Sequence, residues 1–173
     1  MDNTAALERG FAKAKKIIDE RMRLLLIRRA NELCLRAHDL YASPKKAFTG
    51  NTWTGTAVGA YSNGQLIYYI STKMIASMPE VRRGKLKKGE AAYLSPDYAG
   101  NVRRFVGKIE TDGGNSEQDA LEFLQNHNPS AKYAICVVNG SEYANYIENV
   151  YGGDVIKGTY HYAHNLRATD ISI

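Results

Sequence analysis

From Thr4 to about Leu40 the apolar residues recur in steps of three and four: Leu7, Phe11, Ala14, Ile18, Met22 and Leu25, then Leu26, Ala30, Leu33, Ala37 and Leu40. That spacing traces one face of a 3.6-residue period and predicts a single long helix over residues 1–41. No proline interrupts it, and its only glycine is Gly10. At 1.5 Å per residue such a helix is roughly 55 Å long, whereas a compact chain of 173 residues is only about 40 Å across. Either the helix breaks and packs within its own domain, or one end projects and its apolar stripe needs a partner. Around Met22–Ile27 the apolar residues spread round the circumference, so the middle of the helix is expected to be covered on more than one side.

Pro44 ends the helix, and Ser43-Pro44-Lys45-Lys46 reads as a loop. Thr52-Trp53-Thr54 and Leu66–Ile70 are strand-like, and Asn63-Gly64 between them suits a type I′ turn, which predicts a β-hairpin over 51–71. Residues 79–92, with two glycines among five Lys/Arg, read as an exposed basic loop. Asn101–Glu110 fits a strand, or a short helix entered at Ser95-Pro96-Asp97. A helix is expected over 115–128, capped by Asn115 or Ser116, with Glu117 and Asp119 in its first turn and Ala120, Leu121, Phe123 and Leu124 as its apolar face. Lys132–Val138 reads as a central strand, and Tyr143–Tyr151 as a tyrosine-rich helical turn, so 132–152 joins a strand to an interface segment. The expectation is one α+β domain spanning 1–173: a long N-terminal helix packed on a small antiparallel β-sheet, with one or two further short helices.

With 44% hydrophobic and 24% charged residues, the chain has the composition of a folded domain. Its longest apolar run, Leu24–Ile27, is far short of the ~20 residues of a membrane span. The start carries no basic stretch feeding an apolar one, so no signal peptide is expected. Cys34 and Cys136 both sit among apolar neighbours, which predicts small core residues in a protein made in a reducing cytoplasm.

Charge is unevenly distributed. Residues 1–43 carry nine Lys/Arg against six Asp/Glu, residues 44–108 eleven against three, and residues 109–173 three against nine. A basic middle and an acidic end can attract each other within one chain or across subunits, and a basic patch also suits nucleic acid.

No phosphate-binding loop of the GxxxxGK[ST] kind and no GxGxxG follows a strand, and no CxxC pair exists. His161 and His164 are spaced i, i+3 without a third ligand nearby, so they read as surface or interface histidines rather than a metal site. Cys34 and His38 stand one turn apart, but a thiol within a leucine-rich helix is desolvated and inert. Glu117, Asp119 and Glu122 read as a solvated helix face. The reading assigns no catalytic residue, cofactor or metal, and expects no enzyme. Arg82, Arg83, Lys85, Lys87 and Lys88, with Arg103, Arg104 and Lys108 downstream and Tyr93 and Tyr98 between, form a candidate contact for DNA or an acidic partner. Twelve tyrosines against four phenylalanines favour interfaces, since tyrosine pairs an apolar body with a wet tip.

Two stretches resemble the tail-completion, or head–tail joining, family of tailed bacteriophages. Its long N-terminal helix leads into a Pro-x-Asp-Thr-Gly loop; here the order is Pro44-Lys45-Lys46-Ala47-Phe48-Thr49-Gly50, with Phe48 in place of the aspartate and the proline further upstream. Its second signature appears as Gly140, Tyr143-Ala144-Asn145-Tyr146-Ile147-Glu148 and Gly152. Residues 72–131 lie outside the pattern, and the usual proline-rich ending is missing. The resemblance implies a structural virion protein assembled in the bacterial host cytoplasm. It would form a homo-oligomeric neck ring, a hexamer, between portal-side connector and tail-tube proteins, with genomic DNA passing through and no membrane involved. Thr49, Gly50, Tyr143, Tyr146, Glu148 and Tyr151 would then be interface residues. The alternative is a soluble nucleic-acid-binding protein using 82–108.

Overall fold

The computed structural model describes residues 3–41, 55–87, 116–141, 144–150 and 155–166. Helix α1 runs unbroken over Thr4–Tyr41. Strands β1 (Thr56–Ser62) and β2 (Gln65–Ser71) follow, then the short helices α2 (Thr72–Ser77) and α3 (Glu80–Lys87). Helix α4 (Ser116–Asn126), strand β3 (Tyr133–Asn139) and helices α5 (Ala144–Val150) and α6 (Val155–Asn165) complete the described residues. The class is α+β, a long N-terminal helix with a three-stranded antiparallel sheet and several shorter helices.

The sheet order is β2-β1-β3. The hairpin turns at Asn63-Gly64 with φ of 51° and 74°, the two positive angles that a type I′ turn demands. The strand paired with β2 is Thr56–Ser62; Thr52–Thr54 lie outside the described residues. β1 is short of bulky residues because it is sandwiched on both faces, and only Ser62 escapes full burial. Its register with β2 slips between Ala60 and Tyr61, where Ala60 pairs with Tyr68 and Tyr61 with Leu66, a bulge that strengthens local twist. β3, expected at the sheet centre, is an edge strand and half-buried along its whole length. A run of Ile, Cys and Val is satisfied there because helices flank it as well as β1.

Alternation along the strands sends two sets of side chains to opposite faces. Val58, Ala60, Tyr68 and Ile70 meet Leu26, Ala30, Leu33 and Cys34 of α1. Ala57 and Tyr61 meet Ala120, Leu121 and Leu124 of α4. The result is a three-layer sandwich, α1 with the other helices over one face and α4 over the other.

Polar groups index these layers. The Tyr68 hydroxyl donates to Asn31 Oδ1 at 2.5 Å, with both residues buried. The Tyr61 hydroxyl donates to the Leu124 carbonyl at 2.6 Å. Ser71 caps α2 by accepting from the Met74 amide at 3.0 Å and donates to Glu117, which also pairs with Lys73 at 3.2 Å. At Gly140 an added Cβ would lie 2.2 Å from the Ser116 carbonyl and 2.4 Å from the Ala120 amide. The strand therefore leaves the sheet against the backbone of α4, where no side chain fits.

The segment expected as an exposed basic loop is helical over Glu80–Lys87. Pro79 starts it, its carbonyl accepting from the Arg82 and Arg83 amides at 2.9 and 3.1 Å, and Leu86 anchors it in the core beside α1. One buried leucine and a proline at the start outweigh the internal Gly84.

Candidate functional site

Two features of α1 frame the candidate site. Every residue from Asn3 to Ile18 is exposed, so about 24 Å of helix stands clear of the body. It carries Leu7 at 59%, Phe11 at 72% and Ile18 at 59% exposure. The arm departs where Asp19 accepts from Lys132 Nζ at 2.9 Å and from the Tyr133 hydroxyl. Those two contacts, the tyrosine hydrogen bond foremost, hold the Asp19 carboxyl below its ordinary range.

Beyond that clamp α1 becomes the wall of a groove of about 880 Å³. Leu25, Leu26 and Leu33 form one side, Ile135 and Val137 the floor, and Ile156, Ala163 and Leu166 the far side. Asn145, Asn149, Lys157 and His164 give it a polar rim.

Helix α6, absent from the sequence expectations, forms that far side. Its N-terminus is held by Glu148, whose carboxylate accepts from the Val155, Ile156 and Lys157 amides at 2.7, 3.0 and 3.2 Å. A carboxylate there satisfies unpaired amides and faces the positive end of the helix dipole. At the other end the Tyr162 hydroxyl donates to Glu32 at 2.6 Å, Arg29 pairs with Glu32 at 2.5 Å, and the Arg36 guanidinium lies 4.3 Å from the Tyr162 ring centroid. The hydrogen bond to Glu32 raises the Tyr162 hydroxyl pKa above its usual value. The groove is thus built by Glu148 and Glu32, one at each end of α6.

Of the interface residues implied by the resemblance, Glu148 has this intrachain role. Tyr146 lies in α5, and Thr49, Gly50, Tyr143 and Tyr151 lie outside the described residues. Arg82, Lys85 and Lys87 are exposed on α3. Arg83 Nε donates to the Met78 carbonyl at 3.1 Å, and Lys88 lies outside the described residues, as do Arg103, Arg104 and Lys108. The groove draws on four elements scattered over the chain, so only the Glu148 cap, seven residues ahead of its helix, left a local trace in the sequence.

The structure offers little to chemistry at the cysteines. Cys34 is fully buried, its Sγ 3.6 Å from the Ile70 carbonyl it donates to, and burial drives its thiol pKa far above the usual value. Burial likewise raises that of Cys136. Among the described residues, no group of three or more His, Cys, Asp or Glu side chains is placed to hold a metal ion, and no helix is long and apolar enough to cross a membrane. His161 is exposed, and His164 Nε2 lies 2.8 Å from the Tyr160 hydroxyl.

The sheet also separates charge. On the α1 side, α3 carries four Lys/Arg against one Glu. On the opposite side, α4 carries three acidic residues and no basic one. No protein-family profile, no curated protein and no solved structure matches this chain.

Proposed function

We propose that this protein is a structural, non-enzymatic assembly subunit: a ring-forming neck or tail-completion protein of a tailed bacteriophage, joining the portal side of the capsid to the tail. The observation that carries the assembly reading is the charge polarity across the sheet, basic on α3 and acidic on α4. Unlike faces on one subunit favour heterologous contacts, and heterologous contacts close into rings. The resemblance of Gly140–Gly152 to the family signature supplies the phage assignment. The test is the solution mass by light scattering at two protein and two salt concentrations, with electron microscopy of the same samples. The expected result is a discrete closed ring that salt weakens. A protein with no species larger than a dimer at any concentration would overturn it.

A second reading, binding to nucleic acid, is favoured by the helix that presents Arg82, Lys85 and Lys87 outward. Under it, replacing Arg82, Arg83, Lys85 and Lys87 with Ala abolishes salt-sensitive DNA binding, each lost phosphate contact lowering the salt slope by about 0.9. Under the neck reading, in which basic α3 meets acidic α4 of the neighbour, the same variant loses its ring whether or not DNA is present.

A further inference from the structure

We propose that a second copy of this chain occupies the groove: two α1 arms pair antiparallel about a two-fold axis, and each arm's tip enters the other copy's groove. At about 100° per residue, Leu7, Phe11, Ala14, Ile18 and Leu25 fall within one narrow sector of α1. Interrupted once, at Arg21, the exposed stripe therefore runs into the groove wall, which Leu25 helps to form. The occupant must present a matching apolar stripe of similar length, and the arm itself does so.

The spacing fixes the arrangement. Leu7, Phe11, Ala14, Ile18 and Leu25 follow a heptad seam. In a parallel pair each tip would lie beside the other tip and both grooves would stay empty. In an antiparallel pair Leu7 meets Leu25 at the groove mouth, Phe11 meets the stem and guanidinium of Arg21, and Ala14 meets Ile18, large against small. The flank then brings Ile17 beside its own copy, and Leu24 beside Gly10, where an added Cβ would meet nothing within 4 Å. Leu7, Phe11, Ile17, Ile18 and Leu24, the exposed large apolar residues of α1 among those described, are covered by this single contact.

Area supports the joint use of arm and groove. An overlap from Leu7 to Leu25 is about 27 Å of helix roughly 10 Å across, which gives on the order of 900 Å² for both copies if half of each is covered. A specific interface begins near about 1,000 Å². The two arms alone fall just short, and the groove walls make up the difference.

This contact is separate from the charged faces of the neck reading, and the two fail in different ways. The first experiment is self-association of the full chain by analytical ultracentrifugation, comparing wild type with Ile18→Glu and Ile156→Asp. Ile18 is exposed, so Ile18→Glu is expected to keep its far-ultraviolet circular dichroism while its dimer affinity falls at least tenfold. The second is oxidation of a Leu7→Cys/Leu25→Cys double variant. The two sites are about 27 Å apart on one helix, so a disulfide between them must join two chains. A covalent dimer from the double variant, and not from Leu7→Cys alone, is expected. A monomeric wild type, an unchanged affinity in Ile18→Glu, or equal cross-linking by Leu7→Cys alone overturns the proposal. A ring that forms in wild type and Ile18→Glu alike, with no cross-link in the Leu7→Cys/Leu25→Cys variant, overturns it while leaving the neck reading intact. A dimer lost in Ile18→Glu, with no larger species, supports it and removes the ring.

Discussion

The two halves of α1 share one backbone and one apolar period, yet they live in different surroundings. The inner half buries Leu26, Ala30, Leu33, Cys34, Leu35 and Ala37. The outer half exposes Leu7, Phe11, Ile17 and Ile18, and Leu24 is exposed just inside the clamp. Periodicity states which face of a helix is apolar; it does not state what covers that face. The covering here is a property of the sheet, which meets only half of the helix.

Substitutions separate the halves sharply. Leu33→Ala, at 2% exposure, is expected to cost about 2–5 kcal/mol, whereas Phe11→Ala changes monomer stability by less than about 0.5 kcal/mol; urea titrations of the two at low protein concentration test this. Gly140→Ala forces a side chain onto the backbone of α4, and its unfolding midpoint should drop by the equivalent of about 1–3 kcal/mol. Equal stability to wild type would mean that α4 yields. Glu148→Ala leaves the first amides of α6 without their acceptor and is expected to cost about 1 kcal/mol. Amide exchange should show that loss concentrated in Val155–Lys157, with α1 unaffected.

The smallest effect concerns the clamp between the halves. Asp19 has a depressed pKa, set chiefly by Tyr133 and then Lys132. Its contribution is therefore present above the unfolded carboxyl pKa of about 3.9 and is lost as pH falls through the lower folded value. Acidification through that lowered value, below the ordinary carboxyl range, should release the Lys132 and Tyr133 contacts while the core persists. Nuclear magnetic resonance of the Tyr133 ring would report it, and Asp19→Asn should remove the pH dependence.

Much of the fold was legible where the signal is local. The Asn63-Gly64 turn declares its own dihedral angles, α1 declares its period, and α4 declares its apolar face within a few residues, burying Ala120, Leu121 and Leu124 while Phe123, expected on the same face, is exposed. The misses share a cause. In α3 a single leucine, Leu86, supplies the burial, and the surrounding charge conceals it. In α6 Gly158 and two histidines weaken any helical signal, while Glu148, the residue that fixes its start, sits in another helix. β1 looks too poor in large residues for a strand because helical layers press on both its faces, and small residues such as Ala57, Gly59 and Ala60 fit there beside Val58 and Tyr61. The groove was invisible for a related reason, since its walls come from Leu25, Ile135 and Ile156, which only tertiary structure brings together. The exposure of Phe11 was legible only as a choice between a broken helix and a projecting one.

The buried hydrogen bond from Tyr68 to Asn31 acts at a distance on the arm. A continuous helix transmits rotation as a rigid shaft does, and Ile18 lies about 20 Å along the axis from Asn31. Sliding α1 by one residue against the sheet would turn the outer stripe by about 100° and leave two buried polar groups unpaired. One amide and one hydroxyl in the core therefore set the compass bearing of apolar side chains that the core never touches.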